Sequence, residues 1–206
     1  MGARTIPIVA RDGRFVSAQV IRDVVDFLGL DDDTKPQLNP TQLAQRYTLV
    51  LEKAVSLVAQ MPDEHLSKEL PNRPRSWLVL MHHMFQIPNA FLDMEDTGET
   101  LTYESLVAQP PEGISSSAAV AAFGANVQTR FAQWWERSAA EDFDAEVPTY
   151  FGGTTRHEMF ERTVWHSTQH TRQVASLLEQ VGIAPTAPLL AEDLAGLPLT
   201  PHVWDE

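Results

Sequence analysis

There is no cysteine among the 206 residues. That excludes disulfides, thiolate metal sites and a cysteine nucleophile, so any bound metal has to sit on histidine, aspartate or glutamate. It also fits a reducing compartment. The first ten residues lack a basic segment followed by a long apolar stretch, so a mature, cytoplasmic protein is expected. No run of about 18 consecutive apolar residues occurs, and no membrane partner is expected. Basic side chains are scarce as well: 15 Lys and Arg stand against 28 Asp and Glu, for a net charge of −13. Binding to nucleic acid needs a basic patch facing phosphates, and none is visible. The acidic surplus serves solubility.

Apolar residues make up 43% of the chain. That is ordinary for a soluble globular domain and enough for a sizeable core. The expected class is all-α, with a small N-terminal β-hairpin-plus-helix appendage. The appendage is residues 1–30: Ile6 to Ala10 is strand-like, Asp12-Gly13 signals a hairpin turn, and Arg14-Phe15-Val16 returns. Ser17 is then expected to cap a helix that ends at Gly29. Residues 31–40 are charged and proline-bearing and read as a linker.

Residues 41–182 carry four long helical patterns, which argue for a four-helix bundle. The first starts with Asn39 as cap and Pro40 at the first helical position, and runs to about Met61. Its apolar stripe is Leu43, Tyr47, Val50, Ala54, Leu57 and Val58. The second runs from about Ser76 to Asp93, with a kink expected at Pro88. The third runs from about Ser117 to Ala139 and carries Val120, Phe123, Val127, Phe131, Trp134 and Trp135. The fourth opens with the capping box Thr155 to Glu158 and ends at Gly182. Residues 183–206 are proline-rich without a periodic element, and are expected to wrap the bundle.

The fourth pattern carries the chemistry. Its inward stripe is Met159, Thr163, His166, His170, Val174, Leu177 and Val181, at spacings of three and four. An i, i+4 pair lies about 40° apart around a helix, so His166 and His170 point the same way. One helix gives two ligands to one metal at this spacing. The alternative is a hydrogen-bonded polar core, because two buried histidines without partners would be costly. A third ligand is available on the second helix. His83 lies about 90° from the centre of the stripe formed by Trp77, Leu80, Met84, Ile87 and Phe91, while His82 lies about 170° away and should face solvent. His65 in a loop, His157 in a first helical turn and His202 in the tail are weaker candidates. The inner stripes carry no carboxylates, which argues against a di-iron site. Three imidazoles leave coordination positions open and the metal charge uncancelled, as in catalytic sites.

Two stretches carry a resemblance. They are Trp165-His166-Ser167-Thr168-Gln169-His170-Thr171-Arg172-Gln173 with Leu177, Leu178 and Gly182, and His83-Met84-Phe85-Gln86-Ile87-Pro88 with Phe91-Leu92. Over about residues 40–182 the chain resembles the DinB-like superfamily, which includes mycothiol-dependent maleylpyruvate isomerase-like proteins and metal-dependent thiol transferases. The resemblance implies a four-helix bundle with a three-histidine metal centre, one ligand from the second helix and two from the fourth. Carried over, the ligands are His83, His166 and His170, and the metal is one divalent ion of zinc, nickel or iron. Some relatives have glutamate where His166 stands. The first 30 residues look like the tail end of a glutaredoxin, with Thr5-Ile6-Pro7 resembling its thiol-binding turn. Pro7 is therefore the candidate contact for a low-molecular-weight thiol such as glutathione or mycothiol, and a plain packing appendage is the alternative.

Gln173, one turn beyond His170 on the inner face, is a candidate to hydrogen-bond a ligand or substrate. Arg172 is a candidate substrate clamp or a solvated arginine, and Gln169 is a weaker polar candidate. Trp77, Trp134, Trp135 and Trp165 read as core or pocket walls. The expected function is a metal-dependent transferase or isomerase using a thiol on a small electrophile. Its rivals are a hydrolase using metal-bound water and a non-catalytic metal-binding stress protein. A small-molecule substrate and a homodimeric assembly are the partners in view.

Overall fold

Asp12 and Gly13 both take positive φ, 51° and 74°, which a two-residue type I′ hairpin turn demands. They join β1 (Ile8–Arg11) to β2 (Arg14–Ser17), antiparallel, with Ile8 opposite Ser17. The computed structural model describes residues 8–70 and 73–204. The Thr5-Ile6-Pro7 turn and Pro71 lie outside the described residues. Pairing in the ladder uses Ser17, so it is not a helix cap. Helix α1 (Ile21–Leu28) starts four residues later behind Val20, with no side-chain cap, and ends at Gly29 in the left-handed region.

Helix α2 (Pro40–Gln60) has the expected start. Asn39 Oδ1 accepts from the Gln42 backbone N–H at 2.9 Å, and Gln42 Oε1 accepts from the Asn39 N–H at 3.0 Å. A 3-10 turn at Asp63–His65 leads to a second hairpin, β3 (Glu69–Leu70) with β4 (Arg73–Ser76), which the sequence pattern did not announce. Ser76 caps α3 (Trp77–Thr97), closed by Gly98 at φ 71°. The short helix α4 (Tyr103–Leu106) precedes α5 (Ser117–Ser138), which is capped by Ser116. The Thr155–Glu158 capping box starts α6 (Arg156–Gln180). The proline-rich tail contains one turn of helix, α7 (Ala191–Leu194), and is bound to the helical body. Thr186 N–H donates to Gln60 Oε1, and Lys53 pairs with Asp193 at 2.7 Å. No helix of the described residues is long and apolar enough to cross a membrane.

The chain is mostly helical with two small antiparallel hairpins. Helices α2 and α3 each pack on both α5 and α6. The whole predicted stripe of α2 is buried, and Tyr47, Phe91, Phe131, Trp134 and Phe160 form one aromatic cluster with centroids 5.0 to 6.3 Å apart. Helix α3 is buried nearly all round, because α5, α6 and α4 cover it from three directions. Gly124 of α5 leaves room for Phe85: a Cβ there would lie 2.5 Å from Cζ of Phe85.

Pro88 lies inside α3 and has no N–H to give Met84 O, its partner four residues back. Ser167 of α6 supplies the missing donor: its Oγ donates to Met84 O at 3.1 Å. The Tyr47 hydroxyl of α2 lies 2.9 Å from the same Ser167 Oγ and completes the chain as donor. All three residues are buried, and burial raises the Tyr47 pKa, which keeps the phenol protonated. Removing Ser167 orphans a carbonyl and a phenol, so Ser167→Ala should cost about 2–3 kcal/mol. Pro88→Ala restores the backbone donor. In that background Ser167→Ala should cost at least about 1 kcal/mol less. Urea unfolding of the four variants measures this coupling, and strictly additive costs would show that Ser167 does not replace the proline's missing hydrogen.

Candidate metal centre

The pin between Ser167 and Met84 joins residues that each sit one position from a histidine. It fixes the register in which α6 presents His166 and His170 against His83 of α3. The ring centroids lie 5.4 Å (His83 to His166), 5.2 Å (His83 to His170) and 4.8 Å (His166 to His170) apart. One ligand nitrogen from each ring falls within 4.8 Å of the others. Around a tetrahedral zinc with Zn–N near 2.0–2.1 Å the nitrogens would stand about 3.4 Å apart, which modest side-chain rotations reach. The three-histidine cluster can therefore hold a metal ion.

Hydrogen bonds to the rings fit that reading. His170 Nδ1 lies 2.7 Å from Gln173 Oε1, which can only accept, so Nδ1 carries the hydrogen and Nε2 the lone pair. A ring N–H of His83 donates to the Leu106 backbone carbonyl in α4. Metal-ligating imidazoles are typically oriented by such a partner on the second nitrogen. Burial, then the neighbouring His170 ring and Arg75, lowers the His83 pKa to about 3. Burial also lowers His166, with His170, His83, Arg162 and Arg75 adding to it. Neutral imidazoles are the form that binds metal.

Gln173 also donates from Nε2 to Val203 O at 3.1 Å, so one amide ties the His170 ring to the tail. Gln169 donates to the same carbonyl at 2.7 Å. Arg172 donates to Thr200 O, Pro201 O and Gln169 Oε1, so the structure gives it a tail-holding role. His82 does not face solvent. It is 2% exposed and stacks on Phe123 of α5 at 5.0 Å. The single-stripe reading of α3 missed this because the helix is covered on more than one face. Of the remaining histidines, His65 meets the Trp77 ring, His157 donates to Leu38 O at 2.8 Å, and His202 is exposed. Trp77 and Trp134 are core, Trp135 is half-buried against the core, and Trp165 lines a cavity.

That cavity, of about 430 Å³, borders the centre at His166 and was not legible in the sequence pattern. Its size is that of small-molecule sites, about 300–1,000 Å³. Residues 18–22 of the N-terminal appendage form one wall. Phe151, Glu158, Glu161, Arg162 and Trp165 form the other. The only sequence signal was the position of Arg162 one turn before His166. Burial raises the Glu161 carboxyl to about 7, opposed by the Gln37 backbone N–H and reinforced by Glu158.

No family model matches this chain, and no curated protein matches it.

Metal content should divide the variants. His83→Ala, His166→Ala and His170→Ala should each lose the ion by elemental analysis. Gln173→Ala should keep it with about 10–100-fold weaker affinity. His82→Ala should keep full metal content but lose about 1–3 kcal/mol of stability from the Phe123 stack. Metal loss in His82→Ala with retention in His83→Ala would show the wrong histidine was assigned.

Glu161 gives a pH signature. Its folded carboxyl holds a proton more tightly than the unfolded one, so its stabilising contribution is complete below pH 4.5 and fades as pH rises through about 7. Glu161→Gln has no such loss. Its Tm advantage should grow between about pH 5.5 and pH 8.5, reaching roughly 2–4 °C after discounting for partial exposure. A Tm difference that is flat across that range would contradict a raised Glu161 pKa.

Proposed function

We propose that the protein is a metal-dependent enzyme of the DinB-like kind, built on a four-helix bundle, that uses a low-molecular-weight thiol on a small electrophile in a transfer or isomerisation. The observation that carries this reading is the convergence of His83, His166 and His170 from two helices beside a cavity of about 430 Å³. A purely structural ion would have no use for such a space. The resemblance of the His83-to-Pro88 and Trp165-to-Gln173 stretches to that superfamily supports the thiol.

In this reading His83, His166 and His170 hold one divalent ion: zinc, nickel or iron. When bound, the ion supplies Lewis acidity and lowers the pKa of a coordinated thiol from its ordinary value near 8.5. Gln173 and the Leu106 carbonyl keep the His170 and His83 rings in the orientation that presents their lone pairs. Trp165 and Phe151 give the cavity apolar walls beside His166. Glu161, with a pKa raised to about 7, can take or give a proton at its carboxylate at neutral pH. This places acid–base capacity on the same cavity wall as His166.

Calorimetric titration of glutathione, mycothiol, bacillithiol and cysteine into metal-loaded protein tests the reading, with His170→Ala as control. One thiol should bind in the wild type and not in the control. Binding of none, or equal binding by His170→Ala, would remove the thiol and leave metal-assisted hydrolysis or a structural ion as the better account.

A further inference from the structure

Arg162 is a partly buried guanidinium in the cavity wall, and its hydrogen bonds go to neutral oxygens. Its Nη1 and Nη2 donate to Gln19 O and Gln19 Oε1, both at 2.6 Å. Its plane lies over the Phe151 ring, 5.0 Å from the centroid. These contacts use two of its five donors. Among the described residues no carboxylate lies within ion-pair distance of it. Burial lowers its pKa, opposed by the neighbouring Tyr150 phenol. A buried positive charge without a counter-ion is costly. Proteins keep such charges where a ligand supplies the missing partner.

The charges facing the cavity agree. Arg22 is matched by Glu158, 3.7 Å away. Glu161 is held partly protonated near neutrality. Arg162 is left over, and a metal at His166 adds further positive charge to the same space. Arg162 and His166 are an i, i+4 pair on α6, so their Cβ atoms stand about 5–6 Å apart on one face. Between and around them the cavity is walled by Phe151, Trp165, Val20 and Ile21. The geometry asks for a molecule with an anionic end, an apolar middle and a reactive end only a few atoms away.

We propose that the substrate is a small organic carboxylate, held by Arg162 one helical turn from His166, with its apolar portion between Phe151 and Trp165. This deepens the metal-enzyme reading and rests on it for the direction in which the substrate points. The carboxylate subsite itself is built from Arg162, Gln19 and Phe151, none of which is a metal ligand. The appendage thus acts as the wall that completes the substrate site, since Gln19 aligns the guanidinium from the other side of the cavity.

The experiment is calorimetric titration of 4-phenylbutyrate and its neutral isostere 4-phenylbutyramide into metal-free and zinc-loaded protein. The carboxylate should bind at least about tenfold tighter than the amide in both forms. Arg162→Met should erase that preference while circular dichroism and zinc content stay those of the wild type. Should Arg162→Met fail to fold, Ile21→Trp fills the cavity from the opposite wall and should abolish binding of both probes with zinc content unchanged. Equal affinity for acid and amide, binding of neither, a preference that survives Arg162→Met, or undiminished binding by Ile21→Trp would each overturn the proposal. Zinc content measured on the same samples keeps this separate from the metal reading: loss of zinc binding with a persisting acid preference would fault only the latter.

Discussion

The carbonyl of Met84 has no donor in its own helix, because the residue four positions on is Pro88. A helix interior closed on all sides would tolerate that defect badly, since an unsatisfied buried carbonyl costs about 1–3 kcal/mol. Ser167 answers it from α6, and Tyr47 from α2 answers Ser167. Three helices are thereby locked at one height by directional bonds, which hydrophobic packing alone does not provide. A slip of α6 by one turn would leave the carbonyl and the phenol unpaired together. Because Met84 follows His83 and Ser167 follows His166, the same lock sets the geometry of the histidine cluster. The proline and the histidine cluster are one device.

Much of this was visible in the sequence because it is local. The cap at Asn39 and the capping box at Thr155 depend on residues three or four apart, whereas α3 runs on past the expected end at Asp93 to Thr97, where Gly98 closes it. The α2 stripe follows from helical period, and so does the His166/His170 pair. The third histidine of the cluster, His83, lay on the flank of its stripe, which was enough to bring it within reach. Failures came where the deciding partner was distant. His82 is buried because α5 brings Phe123 over it, and no pattern within α3 reports that. Ser17 is claimed by a strand partner, Ile8, and so does not cap a helix. The tail's single helical turn was hidden by its prolines. Gln19 meets Arg162 across 143 positions of chain, a pairing that no single-sequence periodicity encodes.

Polar residues in this molecule divide into two uses. Tyr47, Ser167, Thr171 and the Glu95–Arg156 pair are satisfied by one another inside the packed body. Such groups specify a unique arrangement without needing any visitor. The histidine cluster and Arg162 differ. The first gathers three imidazoles that could hold a metal ion, and the second is a guanidinium with no carboxylate at ion-pair distance among the described residues. Both line or border the same cavity.

The amide of Gln173 stands between the His170 ring and the Val203 carbonyl, 2.7 Å and 3.1 Å away. One planar group cannot serve both partners unless both are in place. An ion held by the histidine cluster and the docking of residues 200–204 would therefore be coupled through this one amide, and such coupling is reciprocal. Whatever tightens the imidazole tightens the tail by the same free energy, and whatever pulls the tail away loosens the imidazole. The segment around Val203 is thereby a mechanical extension of the histidine cluster, two hydrogen bonds away.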